Sequence, residues 1–143
     1  MTSATIASSE RRVIFGLGAT GQSVARWWRQ QGVAFAAVDT RAELADNPAA
    51  VADIDVGSAV FGDVDAAFVD DCTEMIVSPG VALDHPLIER ARSQGCRVRG
   101  DIDLFMEAAK APAVGITGSN GKSTVTSILG PMIAAGGVRA AVG

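Results

Sequence analysis

The sequence predicts an α/β protein with a doubly wound parallel sheet, followed by the opening strand, phosphate loop, helix and strand of an incomplete second domain. Two glycine-containing loops predict this fold, because each follows an apolar, strand-like run and precedes a helical pattern. The loops cover residues 16–21 and 115–124. Short apolar segments alternate with helical ones between them, which is typical of repeated strand-helix-strand units.

The first loop lies within a strand-helix-strand unit. Residues 12–15 are apolar and β-prone, and a helical pattern extends from residue 23 to residue 31. Gly32 follows, and glycine is common immediately after a helix. A second strand over residues 33–38 ends at Asp39.

The same alternation continues to about residue 110. We predict strands near residues 58–61, 75–77 and 97–99, and helices near residues 64–70, 85–94 and 101–109. The last helix ends at Lys110-Ala111-Pro112, because proline cannot continue a helix. We therefore place a domain boundary there.

Beyond the boundary, the pattern predicts only part of a second domain. Residues 113–116 predict a short buried strand, and residues 138–142 predict another. Apolar residues recur at helical spacing between them, at Val125, Ile128, Leu129, Met132 and Ile133. Pro131 cannot donate to the Ser127 carbonyl, so a kink is expected. Two strands and one helix cannot cover both faces of a sheet, so we expect residues 111–143 to open a larger domain.

Composition excludes several classes of protein. The 143 residues are 48% hydrophobic and carry a net charge of −4, with no basic cluster that would bind a nucleic acid. Residues 1–10 lack the pattern of a signal peptide, and no apolar run is long enough to span a membrane, so we expect a cytoplasmic protein without nucleic-acid or membrane partners. We also expect a monomer.

The chain also lacks the spacing of a zinc site. Cys72 and Cys96 are separated by 24 residues, and His85 is the only histidine. We predict two buried, reduced thiols, and we predict that His85 is a helix cap or a surface residue.

The first loop matches the dinucleotide fingerprint of Rossmann-like sheets, Gly16-x-Gly18-x-x-Gly21. Asp39 lies where an acid would bind an adenosine ribose, which favours NAD. However, the same geometry places any diphosphate at a helix N-terminus. A uridine diphosphate sugar is the competing ligand, since Thr40 and Arg41 could contact a base.

The second loop contains a flexible turn, one cation and two hydroxyls, which are the parts of a triphosphate site. Gly118 and Gly121 permit a positive φ, Lys122 would reach the β and γ phosphates, and Ser123 would ligate Mg²⁺. The common pattern places a further glycine at position 116, where this chain has Ile116. A hydride-transfer enzyme does not need such a loop, whereas a ligase acting on a nucleotide-linked substrate needs both loops.

Five segments carry a resemblance to the Mur ligases, the ATP-dependent amino-acid-adding enzymes of peptidoglycan assembly, and above all to their D-glutamate-adding branch. They are G-L-G-A-T-G at 16–21, D-T-R at 39–41, S-P-G-V at 78–81, G-D-I-D-L-F at 100–105 and the segment 111–125. The amino-acid sequence of the second loop also resembles the nucleotide loop of the folylpolyglutamate synthetases. Another Mur ligase, or a non-catalytic NAD-type module, remains an alternative.

The resemblance implies two sets of site residues. For the UDP-sugar, Gly18, Ala19, Thr20 and Gly21 would hold the diphosphate, and Asp39, Thr40 and Arg41 the uracil. Ser78, Pro79 and Gly80 would line the same pocket, although an ordinary β-turn explains them equally well. For ATP and Mg²⁺, the implied residues are Gly118, Ser119, Asn120, Gly121, Lys122, Ser123 and Thr124.

The resemblance also implies a reaction. ATP would phosphorylate the L-alanyl carboxylate of UDP-N-acetylmuramoyl-L-alanine, and the amine of D-glutamate would attack the acyl phosphate. Lys122 would be the catalytic residue, stabilising charge on the transferred phosphoryl group. Residues 1–110 would be the UDP-substrate-binding domain and residues 111–143 the start of the ATP-binding domain. Because the D-glutamate-binding domain would lie outside these residues, we expect the 143-residue chain to be inactive alone.

Overall fold

The computed structural model describes residues 10–47, 52, 54 and 58–142. The chain divides into two compact units, Met1–Ala108 and Ala109–Gly143. Residues 1–9, in the segment that lacks a signal-peptide pattern, lie outside the described residues. The functional assignment of the two units as domains stays a prediction.

The first unit contains a five-stranded sheet in the order β3-β2-β1-β4-β5, in which every pair of neighbours is parallel. The strands are β1 Arg11–Phe15, β2 Ala36–Asp39, β3 Ala59–Phe61, β4 Cys72–Val77 and β5 Arg97–Arg99. The strand order reverses direction between β1 and β4, so the predicted doubly wound sheet is confirmed.

Among the described residues of the first unit, three α-helices connect or follow these strands. They are α1 Ala19–Gln30, α2 Pro86–Ser93 and α3 Asp101–Ala108. His85 begins α2 as predicted for a helix cap, because its Nδ1 accepts a hydrogen bond of 3.2 Å from the Leu87 N–H.

One predicted helix is shorter and tighter than expected. Residues 64–70 contain only the 3₁₀ helix Ala66–Val69, and a second 3₁₀ helix, Ala42–Asp46, follows β2. The Asp65 side chain accepts from the Ala67 N–H at 2.8 Å, which satisfies one donor of the first turn. Asp71 then adopts a left-handed φ of 60°, so the chain leaves the helical conformation before β4.

Alternation along the strands builds one apolar cluster on each face of the sheet. Val13 and Phe15 pack in one cluster with α2, and Ile14 packs in the other with Trp28 of α1. Trp28 is buried and Trp27 packs at the margin of its cluster, as expected for packing residues of a helix. The sheet is therefore covered on both faces, as a parallel sheet requires.

The second unit differs from the sequence prediction. Within its described residues, 109–142, the helix α4 Lys122–Ala135 is the one regular element, and neither 113–116 nor 138–142 forms a strand. Val114 is 67% exposed, so the prediction of a short buried strand is wrong for this chain. A strand requires hydrogen-bonded neighbours, and apolarity alone cannot supply them.

The two extended segments of this unit nevertheless flank one helix. A Cβ added to Gly130 of α4 would come within 2.6 Å of Val142 Cγ2, and Val114 and Ile116 line a depression with Ile133. Pro131 lies inside α4 without ending it.

The ion pair between Asp70 and Arg90 predicts a pH effect. Arg90 Nε and Nη2 donate to the two Asp70 carboxylate oxygens at 2.7 and 2.8 Å, and Gln94 Nε2 adds a bond of 2.8 Å. The Arg90 hydrogen bonds, followed by that of Gln94, lower the pKa of Asp70 from 3.8 to about 2. The pair therefore stabilises the fold above pH 3.8, and this contribution is lost as the pH falls towards 2.

We predict that Arg90→Ala raises the pKa of Asp70 towards 3.8 but leaves it below that value, because Gln94 still donates. Carboxyl carbon shifts of Asp70 followed by NMR titration measure this. Gln94→Ala is the matched control and should raise the pKa less. An unchanged Asp70 titration in Arg90→Ala would contradict the assignment of the pair.

Candidate nucleotide-binding site

A cleft of about 490 Å³ lies at the carboxyl ends of β1, β2 and β4. This is the position where the strand order reverses, and open α/β sheets bind ligands there. The loops that follow these three strands form its walls. The lining residues are Phe15, Gly16, Gly18, Ala19, Thr20, Asp39, Thr40, Arg41, Ser78, Pro79, Gly80, Val81, Ala82 and His85.

Nine of the ten residues predicted for a UDP-sugar line this cleft, although they come from three separate segments of the sequence. Gly21 is the exception. It is buried, and a Cβ placed on it would lie 1.9 Å from the Gly16 carbonyl oxygen. Gly21 therefore allows α1 to approach the loop, and the structure does not place it on the cleft wall.

Gly16 joins the loop to both neighbouring strands. Its N–H donates to the Val38 carbonyl at 2.8 Å, and its own carbonyl accepts from Ser78 Oγ at 2.7 Å. Its φ is +91°, and a Cβ would come within 2.9 Å of both Ser78 and Val81. Only glycine fits this position without rearranging the loop after β4.

The start of α1 faces the cleft with unsatisfied donors. Gly18 is the N-cap and no side chain caps the helix. The first backbone bond of the helix runs from the Gln22 N–H to the Gly18 carbonyl at 3.0 Å. Ala19 and Thr20 of the first turn line the cleft, so this end can bind an anion through N–H groups and the helix dipole.

Asp39 is buried, with 2% of its surface exposed, and its carboxylate is fully occupied. Oδ1 accepts from the N–H and Nε of Arg41, both at 2.9 Å, and Oδ2 accepts from the Leu17 N–H and from Arg41 Nη2, both at 2.7 Å. Burial raises the pKa of Asp39, but the hydrogen bonds from Arg41 and Leu17 outweigh burial and lower it overall.

This occupancy bears on the choice between NAD and a uridine nucleotide. A carboxylate offers about four lone-pair positions, and four donors fill those of Asp39. No position is left for the ribose hydroxyls that an acid binds in NAD sites. Asp39 instead fixes the Arg41 guanidinium, which is half exposed beside the cleft.

The segment after β4 is both a turn and a wall of the cleft. The Val81 N–H donates to the Ser78 carbonyl at 3.0 Å, which closes a β-turn. Ser78 is buried and its hydroxyl holds Gly16, while Pro79 and Gly80 are exposed along the cleft.

Five lining residues are outside the predicted set: Phe15, Gly16, Val81, Ala82 and His85. The His85 ring packs edge-on against Phe15, with ring centres 4.8 Å apart. The sequence analysis predicted His85 as a helix cap or a surface residue, and the structure shows that the cap also lines the cleft.

The second predicted loop lies in the second unit, and its residues 118–124 are exposed. Gly121 is the N-cap residue of α4, with a φ of +78°, and no side chain accepts a hydrogen bond from the N–H groups of the first turn. Lys122 Nζ donates to the Gly118 carbonyl, so the cation folds over the loop. Ser123 and Thr124 stand in the first turn of α4. Within the described residues, no group of three or more His, Cys, Asp or Glu could hold a metal ion.

Residues 10–100 match the family described as Mur ligase MurD-like, N-terminal domain. The chain belongs to this family. The residues that line the cleft, 15–85, all lie within the matched region.

Bacterial proteins named UDP-N-acetylmuramoylalanine--D-glutamate ligase are similar over nearly the whole chain. The Pseudomonas aeruginosa protein is 45% identical over 141 residues, which are 96% of this chain and 31% of the relative. The Pseudomonas putida protein is 41% identical over 143 residues, 100% of this chain and 32% of the relative. The chain thus spans about a third of the length of these relatives, and the similarity extends through the second loop.

One solved structure supports the fold. A pseudomurein peptide ligase type C from Methanothermus fervidus superposes with a TM-score of 0.54 and 22% identity, over 90% of this chain and 26% of that one. Because only 22% of the aligned residues are identical, this similarity supports the fold of the chain and nothing about its function. Among the described residues, no helix has the length and apolarity needed to cross a membrane.

Two glycines of the first loop provide a test of its geometry. We predict that Gly21→Ala lowers the free energy of unfolding by about 2 kcal/mol or more, because the new Cβ meets a backbone oxygen that cannot move aside. Gly18→Ala is the matched control, since nothing lies within 4 Å of its Cβ and its φ is −70°.

We expect Gly18→Ala to cost less than about 1 kcal/mol, in the range of a changed helix cap. Urea unfolding of the two variants beside the parent chain measures both values. Equal stability of the two variants would show that α1 does not approach Gly16 as described.

Proposed function

We propose that this chain provides the UDP-substrate-binding domain, residues 1–110, and the first part of the ATP-binding domain, residues 111–143, of a ligase in peptidoglycan synthesis. The proposed reaction joins D-glutamate to UDP-N-acetylmuramoyl-L-alanine. The observation that carries this proposal is the fully occupied Asp39 carboxylate beside an uncapped helix start, in a cleft of a MurD-like domain. The names of the relatives support the same reaction.

The cleft suits a uridine diphosphate better than a dinucleotide. The N–H groups at the start of α1 would bind the diphosphate, with Gly18, Ala19 and Thr20 closest to it. Arg41 is held by Asp39 with its guanidinium at the cleft wall, so it could donate to a carbonyl of the uracil. Thr40 lies between Asp39 and Arg41 in the sequence and also lines the cleft, so its hydroxyl could form a hydrogen bond with the same edge of the base.

The local geometry of the second loop suits a nucleoside triphosphate. The left-handed Gly121 turns the chain into α4, and the first-turn N–H groups are free of any side-chain cap. Residues 118–122 would surround the phosphates, and Ser123 would ligate Mg²⁺, with Thr124 beside it. Lys122 Nζ donates to the Gly118 carbonyl, and this position of the cation beside the loop supports the assignment.

ATP, when bound, supplies the phosphoryl group that activates the substrate carboxylate. Lys122 would act as a fixed positive charge against the phosphate oxygens and would transfer no proton. The helix dipole of α4 adds to this charge, since its positive end is at Lys122.

The proposal extends to the setting of the reaction. Relatives three times as long carry the remaining parts of such an enzyme, and we propose that these 143 residues alone catalyse no ligation. We propose that the enzyme acts in the cytoplasm, where ATP is available, and that it acts as a monomer. The competing function, a non-catalytic NAD-type module, would leave the second loop without a role.

We predict that the 143-residue chain binds UDP and that Arg41→Ala weakens this binding by about 1–3 kcal/mol, because a charge-assisted hydrogen bond is lost. Isothermal titration calorimetry with UDP and, separately, NADH measures the preference. Arg139→Ala, an exposed arginine in the other unit, is the matched control and should bind UDP as the parent does. Micromolar NADH binding without a response to UDP would contradict the proposal.

We predict that Lys122→Ala, in a full-length protein containing these residues, lowers kcat by about 10³-fold or more, because a preorganised charge is removed from the transition state. Lys122→Arg should restore activity only in part, since a planar guanidinium does not replace a compact ammonium. Lys110→Ala is the control, as Lys110 is the other lysine of the chain.

A steady-state assay of ADP release, with a thermal melt of each variant, tests the role of Lys122. The melting temperature should not change, because Lys122 is exposed and its hydrogen bond is local. Near-normal kcat in Lys122→Ala would require another site for ATP.

A further inference from the structure

The two cysteines of the chain lie against each other in the interior of the first unit. Cys72 begins β4, and Cys96 immediately precedes β5. Their Sγ atoms are 2.6 Å apart, and both thiols are free and buried. The cleft contains neither residue, so the proposed ligase function does not use them.

A β-bulge brings the two thiols to the same face of the sheet. The register of β1 against β4 shifts between Arg11, which pairs with Cys72, and Arg12, which pairs with Glu74. Without this shift, Cys72 would share a face with Glu74 and Ile76, since strand side chains alternate. Instead Cys72 packs in the cluster of Met75 and Val77, where Cys96 also lies.

We propose that Cys72 and Cys96 are a dithiol site that closes to an intrachain disulfide by exchange with a low-molecular-weight disulfide such as glutathione disulfide. One thiolate attacks the glutathione disulfide, forms a mixed disulfide and releases one glutathione thiolate. The second cysteine thiolate attacks the protein sulfur of the mixed disulfide and releases the second glutathione. Two protein thiols are oxidised, and one glutathione disulfide is reduced to two glutathione thiols.

The surroundings explain why the site is reduced and slow to react in the folded chain. Burial raises the pKa of both thiols, so little thiolate forms. Helix α2 covers the pair through Ala91, whose carbonyl accepts from the Cys96 N–H at 3.0 Å. Exchange therefore requires opening of this region, and the close approach of the sulfurs favours the disulfide once it has formed.

The disulfide would change stability and leave the cleft unchanged. Cys72 lies six residues before Ser78, which is about 20 Å along an extended strand. The linkage would therefore connect β4 to the start of β5 at the end of the sheet opposite the nucleotide. It would also enclose α2 and the Ser78–Val81 turn in one covalent loop.

The test compares disulfide formation in the folded and the unfolded chain. The 143-residue chain is unfolded in urea, refolded in defined mixtures of reduced and oxidised glutathione, trapped with an alkylating reagent and measured by intact mass. The same mixtures in urea provide the reference. Refolding removes the barrier of burial, so that the equilibrium and not the rate decides the result.

We expect the disulfide equilibrium constant to be about 100-fold larger in the folded chain than in urea, because folding holds the two sulfurs together. By the same thermodynamic cycle, the unfolding equilibrium constant of the oxidised chain should be about 100-fold smaller than that of the reduced chain. Trypsin should yield residues 42–90 linked to residues 93–97. Cys72→Ala and Cys96→Ala are the controls, and each should yield only a mixed disulfide with glutathione.

Two outcomes would overturn the proposal. One is a disulfide equilibrium constant in the folded chain that is no more than about ten times the constant in urea, because the fold would then hardly favour the disulfide. The other is a mixed disulfide or a disulfide-linked dimer as the final product of the parent chain. UDP titration of the oxidised chain is a separate readout, and loss of UDP binding on oxidation would contradict the placement of the disulfide away from the cleft.

Discussion

The candidate site depends above all on the carboxylate of Asp39, which holds two loops in one arrangement. Its Oδ2 fixes the Leu17 N–H of the glycine loop, and both oxygens fix Arg41. A buried carboxylate is costly unless its acceptors are satisfied, and here donors fill them. Removing these donors would leave an unpaired buried charge beside the cleft. The same hydrogen bonds therefore set the geometry of the site and stabilise it.

The glycine loop adds a second constraint, which acts through backbone atoms. The Gly16 carbonyl lies against Gly21 of α1 and also accepts the Ser78 hydroxyl. These contacts set the distance between α1, β1 and β4, and they point the first turn of α1 at the cleft. A diphosphate site needs this placement, because free N–H groups bind an anion only where their direction is fixed.

The sequence predicted the features that depend on local pattern. Alternating apolar segments and the positions of glycine predicted every strand of the sheet, and the resemblance to the Mur ligases implied nine of the residues that line the cleft. What failed depends on distant partners: residues 113–116 are apolar but have no neighbouring strand among the described residues. The bulge at Cys72 and the full occupancy of Asp39 also escaped, because a register shift and a count of hydrogen-bond donors are properties of the assembled sheet.

The two glycine loops share one structural feature but differ in their surroundings. Each places an uncapped helix start at a glycine turn. In the first unit, neighbouring strands add Arg41 and the turn after β4, so side chains can select a base. In the second unit, Lys122 adds one cation and the loop is exposed, so this loop could bind phosphates but has little with which to select a base. If the two loops act as proposed, the first unit selects the nucleotide-linked substrate, and the second unit supplies the charge that phosphoryl transfer requires.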